Sequence, residues 1–219
     1  MEIDKPTNHG ILIEVEGVDG SGKTTFINNF RSELNKTGIT NAVFKNHLGM
    51  ESPFWNSFVK TRSQLDEKGL KISDDASRVL QTAEFLMFTR FVLPELLINN
   101  QVVLADRYSI AKRVDSKVSL DGKTGSAELM LDVADDIKKP DIIFYLRVTA
   151  ETAWKRLAGK VSKDWKENLN ILSTAVYYYD HIMAETPNVV VLDSETEQKD
   201  IQVIALREFR EKYPHLFKP

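Results

Sequence analysis

Five short runs of mostly branched apolar residues punctuate the chain: Ile11 to Val15, Asn41 to Phe44, Val102 to Ala105, Ile142 to Leu146 and Val189 to Leu192. Runs this short and apolar fit strands buried on both faces. Between them lie longer stretches in which apolar positions return every three or four residues. Phe26, Phe30 and Leu34 follow this spacing, as do Val79, Ala83 and Leu86, with Arg90 next in the series. That period predicts helices with one face turned to a core. Strands alternating with helices predict a parallel sheet covered on both sides, the doubly wound α/β class. No repeat, low-complexity tract or Pro/Gly/Ser linker breaks the alternation, so residues 1–219 are expected to form a single domain. Two polar stretches read as loops: "SKVSLDGKTGS", Ser116 to Ser126, and the lysine-rich "AGKVSKDWKEN", Ala158 to Asn168.

Composition removes several classes of chemistry. There is no cysteine, which excludes a disulfide framework, a thiolate metal site and a cysteine nucleophile. Hydrophobic residues make up 42% and charged residues 28%, with both signs interspersed, as in a folded soluble protein rather than a disordered one. The formal net charge of −3 offers no attraction for nucleic acid or for an anionic membrane. The opening "MEIDKPTNHG" lacks the apolar stretch of a secretory signal, and no apolar run is long enough to cross a bilayer, so a cytoplasmic protein is expected.

The first apolar run leads into "GVDGSGKTT", Gly17 to Thr25. This matches G-x-x-x-x-G-K-[ST] over Gly17, Val18, Asp19, Gly20, Ser21, Gly22, Lys23 and Thr24. Glycines let the backbone turn successive N–H groups toward one point, and a helix starting near Lys23 adds the positive end of its dipole. A strand before such a loop and a helix after it are the context in which it binds a nucleotide such as ATP. There Lys23 reaches the β- and γ-phosphates, and the hydroxyl of Thr24, with Thr25 beside it, completes the coordination of a magnesium ion. The loop alone leaves open whether the phosphoryl group passes to water, to a small molecule or to nothing, as in a switch. The N-K-x-D pattern of a guanine-specific switch is absent around Asn46.

A second cluster closes the third apolar run: "VVLADRYS", Val102 to Ser109. In a parallel sheet the carboxyl ends of the strands share an edge with the phosphate loop, which brings Asp106 and Arg107 toward the nucleotide. Asp106 suits magnesium or its waters, and Arg107 a bidentate grip on phosphate. The alternative is an ordinary strand-end ion pair.

"EGVDGSGKTT", "DRY" and "KPDIIFYLRVTAETAWKRL", in this order and spacing, resemble the thymidylate kinase family of P-loop nucleoside monophosphate kinases from about Gly10 to Arg156. The resemblance implies a P-loop kinase fold: α/β, with a five-stranded parallel sheet, flanking helices and a short basic lid at about residues 157–168. It implies magnesium-dependent transfer of the γ-phosphoryl of ATP to a nucleoside monophosphate, dTMP as the first expectation, and a homodimer packed through long helices. By position, Asp19 touches the acceptor sugar and Arg107 the phosphates being joined. Arg156 and the lid stabilise charge on the moving group. Gly20 stands where some members carry a phosphate-loop arginine; in members without it the lid supplies the charge, which here points to Lys155, Arg156, Lys160 and Lys163.

The acceptor side departs from the family. After the second strand the Arg-Glu-Pro-Gly-Gly run is replaced by "FKNHLGMESPFW", where Lys45, Asn46 and His47 stand in for the guanidinium and only Gly49 fits. On the helix that usually offers an arginine to thymine, Glu84 falls near that position, and a carboxylate accepts where arginine donates. Candidate acceptor contacts are Lys45, His47, Phe54, Gln81, Glu84, Phe85, Arg107, Tyr108 and Tyr178. Of Tyr177, Tyr178 and Tyr179, successive residues of a helix, at most one or two can face the site. Gln81-Thr82 and Tyr145-Leu146-Arg147 also resemble deoxynucleoside kinases, which act on an uncharged nucleoside and need a carboxylate base that only Glu51 could provide here. A non-catalytic nucleotide-binding switch that has kept the phosphate loop is the further alternative.

Overall fold

The structure, a computed structural model, describes residues 10–45, 53–70, 73–120, 125–158 and 169–217. Its centre is a parallel sheet of five strands, β1 (Ile11–Glu16), β2 (Asn41–Lys45), β3 (Val102–Asp106), β4 (Ile142–Arg147) and β5 (Val189–Asp193), in the order β2-β3-β1-β4-β5. The five are the expected apolar runs. Each continues one residue further, into Glu16, Lys45, Asp106, Arg147 or Asp193, because ladder pairing does not stop where apolar character does. Lys45 pairs with Asp106 and Arg147 with Asp193, so polar side chains gather at the carboxyl edge.

Alternation along the strands divides the core. Ile11, Ile13 and Val15 of β1 face α1 (Lys23–Lys36) and α9 (Gln198–Lys212), whose Phe26, Phe30 and Phe209 pack with Phe144. The Phe30 ring centroid lies 5.4 Å from that of Phe144 and 5.6 Å from that of Phe209, the spacing of favourable aromatic pairs. The opposite face is covered in two parts. α3 (Asp74–Met87) and α4 (Leu93–Asn99) bring Phe85, Leu93 and Leu97 to Leu12 and Val103, while α5 (Ser109–Leu120), α7 (Ala150–Leu157) and α8 (Leu169–Glu185) pack over Ile143 and Tyr145. α2 (Pro53–Asp66) and α6 (Gly125–Asp136) complete the helices.

Three expectations are corrected. The stretch from Ser116 to Ser126 is not a loop: α5 runs through Leu120 and α6 starts at Gly125, and only residues 121–124 lie outside the described residues. Its serines disguise an apolar stripe, for Val114 and Val118 sit one turn apart and both join the core shared with α8. The helix expected on the spacing from Val79 to Arg90 is interrupted by a π turn, Phe88–Val92, just ahead of Pro94 in the first turn of α4. A proline has no N–H and its ring crowds the preceding turn, which a wider turn accommodates. The expected apolar stripe is not the core face: Val79 and Ala83 are exposed, Phe85 and Phe88 face the core instead, and Arg90 pairs with Asp136 at the surface. Most of the expected lid, residues 159–168 including Lys160 and Lys163, lies outside the described residues.

Candidate active site

The loop between β1 and α1 wraps an open centre. A side chain at Gly20, φ 84°, would place its Cβ 2.5 Å from the carbonyl oxygen of Ala153, and one at Gly17 would come within 2.7 Å of that of Leu146, so only glycine fits. Lys23 opens α1, buried, with Nζ donating to the carbonyls of Gly17 and Val18 at 2.9 Å each. Burial, reinforced by the neighbouring Arg107 guanidinium, lowers its pKa to about 7. The first-turn N–H groups of α1 have no intrahelical acceptor and no acidic side chain from that turn.

Around this loop the fold closes a cleft of about 470 Å³ lined by Asp19, Gly20, Gly22, Lys23, Thr24, Thr25, Lys45, Asp106, Arg107 and Arg156. Four strand or helix ends far apart in sequence meet there. Lys23, Lys45, Arg107 and Arg156 are its cations, against the carboxylates of Asp19 and Asp106, an excess of positive charge suited to a polyanion. Arg156 is fixed from behind: Nη1 donates to the carbonyl of Gly20 at 3.3 Å and Nη2 to that of Ser194 at 2.8 Å. Ser194, fully buried just after β5, also donates its hydroxyl to the carbonyl of Ser21. It ties the loop to Arg156. Its position after a strand's carboxyl end was the available signal, and one serine there is too common to stand out.

Arg107 has φ 68°, a left-handed conformation that side chains other than glycine adopt at a cost. Its N–H donates to the carbonyl of Val15 at 3.0 Å; its Nη2 reaches Asp19 Oδ1 at 2.6 Å and the Gly17 carbonyl at 3.3 Å. Its Nε is buried without a partner among the described residues. That donor, with a lysine held by loop carbonyls, fits a phosphate arriving in the cleft. Thr24 and Asp106 share the cleft, and no group of three or more His, Asp or Glu side chains among the described residues is arranged to hold a metal ion. An ion held by Thr24 and Asp106 would therefore draw other ligands from phosphate and water, as magnesium does.

A second, much smaller cavity of about 40 Å³, between α5 and α8, shares Asp19 and Arg107 with the cleft. Val18, Val114, Val118, Ile171, Leu172 and Ala175 give it apolar walls, and Asp115 and Tyr179 add polar groups. Of the three tyrosines it is Tyr179 that turns inward; Tyr178 is half-buried at the edge of the α8 core, its ring 5.4 Å from that of Tyr177. The helical period shows why. Leu172 and Tyr179 are seven positions apart, two turns of one face, and Tyr178 falls off that stripe.

Other candidate residues stand elsewhere. Tyr108 is fully buried in the core, its ring 5.3 Å from Phe85 and 5.9 Å from Phe44, and its hydroxyl donates to the carbonyl of Lys138. Phe85 belongs to the same cluster. Neither lines the cleft or the second cavity; the left-handed turn at Arg107 sends the next side chain, Tyr108, into the core just ahead of α5. Gln81, on α3, donates to Ser77 Oγ at 3.1 Å, and Glu84 is buried with Oε1 unpartnered among the described residues. His47 and Lys160 lie outside the described residues; Phe54 falls within α2, but its side chain is outside them too.

Beneath Arg107 lie two carboxylates, carried by the buried strand β1. Glu14 and Glu16 of β1 are fully buried. Glu14 accepts from the N–H of Ile110 at 2.8 Å and from Ser109 Oγ at 3.0 Å, taking up donors of the first turn of α5. Burial, and then the charge of Glu16 beside it, raises the Glu14 pKa well above the usual carboxylate range. The folded state therefore keeps a proton that the unfolded chain releases. The resulting stability is complete below the unfolded pKa and is lost as pH rises through the folded one. Glu14→Gln keeps the neutral shape without the titration. Urea midpoints of the two proteins should match at mildly acidic pH and diverge in favour of the variant as pH rises; parallel pH curves would refute the buried proton.

A family model described as thymidylate kinase matches residues 15–203. Among curated relatives, a probable thymidylate kinase of Methanocorpusculum labreanum is 28% identical over 199 residues, covering 87% of this chain and 93% of that protein. Probable thymidylate kinase 2 of Saccharolobus solfataricus is 27% identical over 215 residues, 89% and 92% of the two chains. The thymidylate kinase of Blochmanniella pennsylvanica is 23% identical over 204 residues, 90% and 93%. The matched span takes in the phosphate loop, the Asp106-Arg107 strand end and Arg156. The chain belongs to the thymidylate kinase family.

Proposed function

We propose that the protein phosphorylates a nucleoside monophosphate, dTMP first, with ATP as donor, giving the nucleoside diphosphate and ADP. The observation that carries this reading is the cationic cleft around the phosphate loop, where Lys23, Arg107 and Arg156 converge, with Asp19 and Arg107 at the side where it meets a small, partly apolar cavity. Donor phosphates take the cleft. There the loop N–H groups and Lys23 hold the β- and γ-phosphates, and Arg156 supplies positive charge to the transferring group. Arg107 spans both compartments and aligns acceptor phosphate with γ-phosphate, while Asp19 orients the acceptor sugar. Magnesium, held by Thr24 and Asp106, would neutralise phosphate charge. Phosphoryl transfer of this kind needs alignment and charge neutralisation more than proton transfer.

A basic lid at about residues 157–168, carrying Lys160 and Lys163, closes over the donor in this reading and excludes water. The enzyme acts in the cytoplasm as one domain per chain. It pairs as a homodimer through the stretch from Phe85 to Leu97, on which Met87 and Phe91 are exposed apolar side chains. No helix among the described residues is long and apolar enough to cross a membrane. Relatives named as thymidylate kinases lend no support to a deoxynucleoside kinase or to a switch. The reading is checked by thermal melting: ATP with magnesium raises the Tm, and dTMP with an unreactive ATP analogue raises it further. A response to donor alone, across all nucleoside monophosphates, would reject the proposed acceptor.

A further inference from the structure

Glu16 ends β1, immediately before the phosphate loop, and is fully buried. Three donors converge on its carboxylate. Oε1 accepts from the N–H of Tyr108 at 2.9 Å and of Ala111 at 3.1 Å; Oε2 accepts from the hydroxyl of Tyr179 at 2.8 Å. The first two belong to the turn that leaves Arg107, and the third to the wall of the second cavity. The left-handed backbone of Arg107 is what points the next N–H back at β1, and a carboxylate is the acceptor that meets it. Among the described residues Tyr179 is otherwise held by packing, its ring stacked 5.7 Å from that of Tyr145.

We propose that Glu16 is a positioning residue that couples the two compartments: one carboxylate holds the strained turn that presents Arg107 to the phosphates and the Tyr179 wall of the second cavity. The assignment rests on the phosphotransfer reading above, because it is Arg107 alignment that Glu16 serves. Neither Glu16 nor Tyr179 lines the phosphate cleft. Their loss should therefore reduce kcat while leaving donor binding nearly intact.

The test compares Glu16→Gln, Tyr179→Phe and the double variant with the wild type. Glu16→Gln leaves two amide hydrogens where an acceptor stood, and Tyr179→Phe removes one hydroxyl from an unchanged ring. Expected are a fall in kcat of about tenfold for Tyr179→Phe and roughly 10- to 100-fold for Glu16→Gln, with KM for ATP within about twofold of wild type. The double variant should be no worse than Glu16→Gln alone within about twofold, since both substitutions act on the one contact between residues 16 and 179. In ¹⁵N-arginine-labelled protein without nucleotide, the Arg107 backbone and side-chain N–H signals should move in both single variants. Wild-type kcat with unmoved Arg107 signals in a folded Tyr179→Phe would overturn the proposal, as would losses that multiply in the double variant. If the wild type phosphorylates no acceptor, the proposed function fails, and the Arg107 signals still decide the coupling.

Discussion

Lys23→Ala is expected to lose at least roughly 1,000-fold in turnover and to remain folded, because in the proposed reaction the amine is the one cation that the phosphate loop itself contributes to the transferring group. The chain is not built around it structurally. Among the described residues its Nζ holds the carbonyls of Gly17 and Val18, and both belong to a loop whose path is set by glycines and by Ser194. The apolar packing of α1 comes from Phe26, Phe30 and Leu34, not from Lys23. With its pKa near 7 in the nucleotide-free protein, Lys23 is largely neutral at pH 8 and regains its charge when phosphates arrive. Calorimetry of nucleotide binding at pH 8, in buffers of different ionisation enthalpy, should then show proton uptake by the wild type and less by Lys23→Ala. A folded variant with unchanged turnover would refute the role of Lys23, and equal uptake would refute its titration.

Arg107→Gly separates what this residue does for the reaction from what its backbone costs. The left-handed conformation penalises a side chain by about 1–2 kcal/mol and a glycine hardly at all. Against that gain stand the lost ion pair with Asp19 and the greater freedom of glycine in the unfolded chain. Net stability should change by no more than about 1 kcal/mol, and the glycine variant should be more stable than Arg107→Ala, which keeps the strain. Turnover should fall by roughly 100- to 1,000-fold in both, since neither has a guanidinium to align the two phosphates. Denaturant midpoints and steady-state kinetics on the three proteins decide it. An alanine variant as stable as the glycine variant would remove the strain from the explanation, and retained kcat would remove Arg107 from the chemistry.

How far these features were legible in sequence follows from the kind of signal each leaves. The strands were legible because both faces of the sheet are covered, so each became a run of apolar residues; their last residues were not, since hydrogen-bond pairing carries Lys45 and Asp106 into the ladder regardless of polarity. The phosphate loop was legible because its glycines are demanded by backbone geometry. Tertiary choices left weaker marks. Tyr108 next to Arg107 looked like a site residue, yet a single residue step just ahead of α5 separates the cleft from the core. Tyr179 was distinguishable from Tyr178 only by counting two turns back to Leu172. Glu14 and Glu16 are acids within a strand read as buried, and their burial is tolerated because the chain entering α5 turns unpaired N–H groups onto them. A sequence shows that a helix start lacks acceptors, but not which distant carboxylate supplies them.

Product analysis is the most direct test of the central claim. The protein is incubated with ATP and Mg²⁺ and, one at a time, with ribo- and deoxynucleosides and their monophosphates, and the products are identified by mass. Formation of ADP together with a nucleoside diphosphate, from dTMP first among the acceptors, is the predicted result. Phosphorylation of an uncharged nucleoside, or no transfer to any acceptor by protein shown to bind ATP, would contradict it.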